Sequence, residues 1–283
     1  MAFFDIYRRK KGDKMSECTH DCETCGQTCE KKEFMAKPLP STKIGKMIAV
    51  MSGKGGVGKS MVTDLLAVNT LRSGRSVAVL DADITGPSVP KAFGITEKAT
   101  GTEDEKINPV ITKQGVKIMS MNLLLPEDND PVVWRGPVIS GAVKQFFTDV
   151  YWDNVDYMYV DMPPGTGDVP LTVFQSLPVD GIVIVTTPQN LVSMIVGKAV
   201  KMAEMMNIKI LGIIENMSYV ECPDCKTKIY PFGKSKLEEV AAEYSLPILG
   251  RLPITSELSE LTDKGEIENV GNYLTDAMNV ILG

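Results

Sequence analysis

The amino-acid sequence predicts an α/β fold, a mainly parallel twisted sheet with helices on both faces. Three observations predict it. From residue 44 onward, short β-rich runs alternate with helix-length segments, and several runs are almost continuously apolar, as strands covered on both faces should be. A glycine-rich loop joins the first run to the first helix, the strand–loop–helix setting of a phosphate loop. Two further runs end in Asp, at the carboxyl ends where parallel sheets place their ligands.

In chain order, residues 1–40 come first and differ from the rest. They are rich in Lys, Glu, Asp, Thr and Cys, lack helical or alternating periodicity, and end in Lys37-Pro38-Leu39-Pro40. They read as an extension with little core of its own, ordered if it binds metal. Residues 41–283 carry the sheet. Strands are expected at 47–51, 77–80, 117–121, 157–160, 181–186, 210–214 and 248–252. Helices are expected at 60–71, 140–150, 169–177, 191–206 and 236–244, with a last one at 272–282. Such alternation gives right-handed βαβ units.

Composition limits the function classes. With 43% hydrophobic and 23% charged residues over 283 positions, the chain is globular rather than disordered or fibrous. No apolar run approaches the roughly 18–20 residues of a membrane span. The amino-terminal stretch lacks a small-residue cleavage site, so it is not read as a secretory signal. A net charge of −6 argues against coating nucleic acid. The chain reads as cytoplasmic, with neither membrane nor nucleic acid among its partners.

The six cysteines fall in two groups: Cys18, Cys22, Cys25 and Cys29, then Cys222 and Cys225. Tight clusters in a large chain without a secretory signal point to metal or redox chemistry rather than a disulfide framework.

The loop Gly53-Lys54-Gly55-Gly56-Val57-Gly58-Lys59-Ser60 satisfies GxxxxGK[ST]. Its glycines let backbone N–H groups curl around phosphate oxygens, and the following helix N-terminus adds positive potential. Lys59 is placed for β- and γ-phosphates, and the Ser60 hydroxyl for Mg²⁺. The bland alternative is a glycine-rich turn without a ligand. Asp161 ends an apolar run, the layout of a carboxylate that holds a Mg²⁺-bound water. Asp81 and Asp83 end another, beside the loop. The stretch Asp161-Met162-Pro163-Pro164-Gly165-Thr166-Gly167-Asp168 is stiff at one end and free at the other, suited to sensing a γ-phosphate.

With Lys54 inside it, the loop resembles the deviant Walker A signature of the MinD, ParA and nitrogenase-iron-protein class of P-loop NTPases. That resemblance implies a homodimer in which Lys54 reaches the partner's nucleotide, a charge supplied in trans as an arginine finger does. Further segments narrow it: Asp81 to Ser88, Trp134-Arg135-Gly136-Pro137, Asp161 to Asp168, Thr187-Pro188-Gln189 and Glu215-Asn216-Met217-Ser218, followed by Cys222-Pro223-Asp224-Cys225. Together they resemble the Mrp-type iron–sulfur cluster carrier ATPases over about residues 44–265. By that resemblance Asn216 contacts adenine, Asp83 lies near the attacking water, and Asp161 serves the Mg²⁺ shell.

A CxxC pair offers two thiolates where Zn²⁺ or a [4Fe–4S] cluster usually takes four. The shortfall vanishes if two subunits each bring a pair across a two-fold axis, and such a shared [4Fe–4S] site is what the resemblance implies. A zinc staple and a thioredoxin-like redox pair are the alternatives. The amino-terminal group places four thiols in one short segment, a spacing that suits a [4Fe–4S] cluster wrapped by one chain, with zinc as runner-up. His20 lies inside the group as a bystander.

With that resemblance, these residues imply an ATP-dependent carrier that loads a [4Fe–4S] cluster at a homodimer seam and passes it to apo iron–sulfur proteins. Two other readings share the motifs. One is a nitrogenase-iron-protein-like electron-transfer protein, whose bridging cysteines come from two separate loops rather than one CxxC. The other is a MinD- or ParA-type positioning ATPase with structural zinc, but the closing helix has no Lys or Arg to seek anionic lipid.

Overall fold

The computed structural model describes residues 35–84, 86, 88–127, 136–188 and 192–283. The chain is already tied to the fold at Ala36, which is buried and whose N–H donates to the Ser176 carbonyl at 2.6 Å. The elements then run β1 (Lys43–Met51), α1 (Lys59–Arg72), β2 (Val77–Asp81), α2 (Val89–Ala92), a small ribbon of β3 (Thr100–Gly101) and β4 (Ile107–Asn108), β5 (Val110–Ile111) and β6 (Lys117–Met119). They continue with α3 (Gly136–Thr148), β7 (Asn154–Asp161), α4 (Asp168–Ser176), β8 (Gly181–Thr186), α5 (Val192–Met206), β9 (Ile210–Glu221) and β10 (Lys228–Ile229). The last are α6 (Leu237–Glu243), β11 (Ile248–Pro253), α7 (Ser256–Lys264) and α8 (Thr275–Ile281).

All seven expected strands form one parallel array in the order β11-β9-β8-β1-β7-β2-β6, with β5 and β10 added antiparallel. The continuous apolar runs have a structural cause. In β1, Ile48 and Val50 join the core under α1, while Met47, Ala49 and Met51 alternate with them and are equally buried. Successive side chains point to opposite faces, so both faces of the strand are covered and both must be apolar. Trp152, Phe146 and Phe147 fill the opposite layer, with the indole N–H donating to the Phe146 carbonyl at 3.0 Å.

Strand order reverses around β1. The chain leaves β1 for β2 and β6 on one side, returns to β7, then crosses to β8, β9 and β11 on the other. Ligands of open α/β sheets bind in the crevice outside the carboxyl ends at such a reversal, and the glycine-rich loop after β1 lies there.

Strand β9 is longer than its apolar run. It continues beyond residue 214 to Glu221, because β11 pairs with its middle and β10 with Val220 and Glu221. Tertiary pairing thus overrides a polar stretch that reads as loop. Helix α7 was not anticipated either. Thr255 Oγ1 accepts the Leu258 N–H at 3.2 Å, and Gly265 ends the helix at φ 72°, a side-chain cap and a left-handed stop. Thr255→Ala is expected to lower stability by about 1 kcal/mol, read as a shift of the urea midpoint at unchanged slope.

Candidate functional site

Helix α1 begins at Lys59 directly after the loop, with Gly58 in the left-handed region at φ 76°. A Cβ at Gly58 would lie 2.2 Å from Asn216 Nδ2, so the position is closed to side chains by space as well as by backbone. The reason for this contact lies in β9. Buried Asn216 donates from Nδ2 to the Val57 carbonyl at 2.9 Å, which pins the loop to the strand. On the other side the Gly165 N–H donates to the Ser52 carbonyl at 2.8 Å, fastening the segment after β7.

Lys59 is the centre of the site. Its Nζ lies 2.6 Å from Asp161 Oδ1 and 3.7 Å from Asp83 Oδ2. Ser60 Oγ donates to Asp161 Oδ2 at 2.6 Å, and Thr63 Oγ1 lies 3.0 Å from Oδ1. The register explains the crowding, because Asp161 stands level with Val50 on β1 and with Asp81 on β2. Neighbours in a parallel ladder project to the same face. Asp81 accepts from Ser120 Oγ at 2.9 Å and from the Asp83 N–H at 3.1 Å. Burial first, and the Asp161 charge second, push its carboxyl up to about 8.

Asp64 was missed by sequence reasoning. It lies one turn along α1 from Ser60, is 1% exposed, and its Oδ1 has no hydrogen-bond partner. Burial, then Asp161 and Asp81, raise its carboxyl well above the usual range. An Asp four positions after a phosphate-loop Ser was the only available signal. Asp161 and Asp83 face one ammonium whose charge also reaches Asp81 and Asp64, an excess of negative charge that favours a divalent cation or protons. The donor set of Ser60 hydroxyl and Asp161 carboxylate is hard oxygen, as Mg²⁺ requires.

The cysteine pair sits at the far end of β9. Cys222 is half-buried and Cys225 exposed. The Cys222 N–H donates to the Thr227 carbonyl, and the Lys226 N–H to the Cys222 carbonyl, each at 3.0 Å. Cys225 Sγ lies 3.2 Å from the Thr227 hydroxyl. Contacts from the Thr227 hydroxyl, then its backbone N–H, then Cys222 lower the Cys225 thiol to about 7, which favours the thiolate that binds metal. Thr227 had no sequence signal. Among the described residues no third Cys, His, Asp or Glu completes a metal-binding group with the pair.

The structure thus brings Lys59, Ser60, Asp83 and Asp161 together and sets Asn216 against the loop. Lys54 is half-buried in the loop, its carbonyl accepting from Ser52 Oγ at 2.9 Å. Cys18, Cys22, Cys25 and Cys29 lie outside the described residues, as do Trp134, Arg135 and Gln189.

A family model described as the NUBPL iron-transfer P-loop NTPase matches residues 43–281. The chain belongs to this family. It is 49% identical over 232 residues to an iron–sulfur cluster carrier protein of Clostridium perfringens, covering 80% of this chain and 81% of that one. A carrier protein of Methanocaldococcus jannaschii is 45% identical over 260 residues, covering 89% and 90%. A nucleotide-binding protein of Archaeoglobus fulgidus, solved in complex with ADP and with Co found, superposes with a TM-score of 0.74 at 44% identity, over 82% and 90% of the two chains. MinD in its complex with MinC from Aquifex aeolicus shares the fold, with a TM-score of 0.59 at 19% identity over 84% and 95%. Nucleotide hydrolysis is a general property of the P-loop NTPase class to which the chain belongs. No helix among the described residues is long and apolar enough to cross a membrane.

The raised carboxyls set a pH dependence. Between an ordinary Asp value near 4 and about 8, folded Asp81 keeps a proton that the unfolded chain has released. Stability of the Mg²⁺-free protein is therefore expected to fall as pH rises through that window and to level off above it. Asp64 acts in the same direction. Asp81→Asn should flatten the loss, measured by urea unfolding at about pH 5 and about pH 8; a wild-type slope in the variant would assign it to other groups.

Proposed function

We propose that the chain is an ATP-binding and ATP-hydrolysing carrier that assembles a [4Fe–4S] cluster between two copies of itself and transfers it to apo iron–sulfur proteins. The observation that carries this reading is the half-site. Half-buried Cys222 and exposed Cys225, the latter with a lowered thiol, form a pair that no third ligand joins among the described residues. Two pairs across a two-fold axis supply the four thiolates that the cluster takes. The relatives of Clostridium perfringens and Methanocaldococcus jannaschii, both iron–sulfur cluster carrier proteins, support the cargo. The ADP complex of the Archaeoglobus relative supports the nucleotide.

In this reading the loop N–H groups from Gly53, Lys54, Gly55, Gly56, Val57 and Gly58 through Lys59 and Ser60 cradle the phosphates of ATP. Lys59 exchanges Asp161 for phosphate oxygens, and Ser60 and Asp161 hold Mg²⁺, which when bound supplies charge neutralisation on the phosphates. Asp83 lies near the attacking water, and Asn216 meets adenine. Lys54 acts on the partner's nucleotide, so turnover depends on dimerisation. Positioning and charge compensation account for the hydrolysis without a catalytic histidine. The amino-terminal extension, read as residues 1–40 although Ala36 already joins the sheet domain, carries Cys18, Cys22, Cys25 and Cys29, which bind a second [4Fe–4S] cluster, or zinc. The cytoplasm is the compartment.

Anaerobic purification with iron, sulfide and zinc analysis tests the cargo. Cys222→Ala is expected to lose the shared-site iron while a Cys18→Ala variant keeps it; full retention by Cys222→Ala would overturn the half-site, and zinc in place of iron would make it a staple. Lys54→Ala should cut ATP turnover by roughly three orders of magnitude with ADP affinity of the monomer unchanged. Undiminished turnover would remove Lys54 from the partner's site.

A further inference from the structure

Next to the cysteine pair lies a cleft of about 620 Å³, within the size range of ligand pockets. Ser218 and Tyr219 of β9, Lys228, Tyr230, Lys234 and Arg251 are among the residues that line it. The Lys228 ammonium lies 4.2 Å from the centre of the Tyr219 ring, a cation–π contact between two residues of the lining. Of the acidic side chains on the cleft, Glu238 is engaged by Arg251, which leaves Asp276. Residues 226–236 carry Lys226, Lys228, Lys234 and Lys236 without one Asp or Glu, on a chain of net charge −6. Interleaved with them, Ile229, Tyr230 and Phe232 are 55%, 46% and 50% exposed. Lys228 follows Thr227, whose backbone and hydroxyl meet Cys222 and Cys225.

We propose that this cleft and its apolar ledge dock an extended acidic segment of a partner protein, one that also brings apolar side chains, and so hold that partner beside Cys222 and Cys225. A small anion fits less well, since it would satisfy the lysines and leave Ile229 and Phe232 bare. An acidic, apolar polypeptide complements both halves of the surface. Complementary charge of this kind speeds encounter and selects partners, as a carrier needs. Naming that partner as the recipient of the cluster rests on the carrier reading above.

The test uses the full metal-free chain and a dye-labelled synthetic peptide alternating Glu and Phe, followed by fluorescence anisotropy. Binding is expected at low salt and should weaken as salt rises. It should fall about tenfold in a Lys228→Glu, Lys234→Glu double variant, and by a smaller factor in Phe232→Ser, with ADP affinity of each variant unchanged as the check on folding. Equal binding of a peptide with Lys in place of Glu, or undiminished binding to the double variant, would overturn the proposal. So would displacement of the peptide by inorganic phosphate or an oligonucleotide at equal charge concentration, or a rise in dimer population of the double variant by sedimentation. The assay reads no iron. Loss of docking with Cys222-dependent iron intact would remove this proposal alone; the reverse result would remove the carrier reading alone.

Discussion

The contact between Lys59 and Asp161 organises the site. Lys59 is the one buried Lys or Arg among the described residues, and its ammonium faces Asp161 and Asp83 with Asp81 and Asp64 close behind. Buried carboxylates are costly unless paired or protonated. One cation cannot balance four, and burial beside these charges pushes the Asp81 and Asp64 carboxyls up, while Asp161 pairs with Lys59. A phosphate loop asks its lysine to leave that pair for the nucleotide. Departure of Lys59 would strand Asp161 inside the sheet, and a divalent cation at Ser60 and Asp161 removes that penalty. In the proposed reading, phosphate binding and Mg²⁺ binding would thereby be linked through a single carboxylate.

Strand β9 extends that chemistry outward. At Asn216 it grips the Val57 carbonyl, and one position earlier the buried Glu215 carboxylate accepts from Ser218 Oγ at 2.6 Å and from Ser235 Oγ, and lies 3.6 Å from Arg251 Nε. Arg251 in turn pairs with Glu238 on the wall of the cleft. Between these ties, Met217 takes φ 55°, a left-handed backbone inside a strand and so a point of local strain. Five residues lie between Asn216 and Cys222. One covalent strand thus joins the grip on the phosphate loop to the thiol pair, and polar contacts flank it throughout.

Much of this was legible beforehand because it is local. Each of the seven strands announced itself by an apolar run, and the loop motif and Asp161 by residue type at fixed spacing. The features that were not legible depend on neighbours distant in sequence. The extension of β9 exists because β10 and β11 pair with a polar stretch. Asp64 reads as an ordinary helix residue until β2 and β7 place Asp81 and Asp161 against it. Thr227 becomes a thiol partner only when the turn after Cys225 folds back on Cys222.

By itself, then, the order of residues determined the alternation of strand and helix, the phosphate loop between β1 and α1, the Asp at the strand ends and the shortage of thiols in the CxxC pair. Each follows from periodicity or spacing within a few residues. Only the tertiary structure decided which carboxylates share Lys59, that Asn216 holds the loop, and that lysines and exposed aromatic rings gather beside the thiols. Register between strands and burial from water set those relations, and both arise when segments far apart in the chain come to lie side by side.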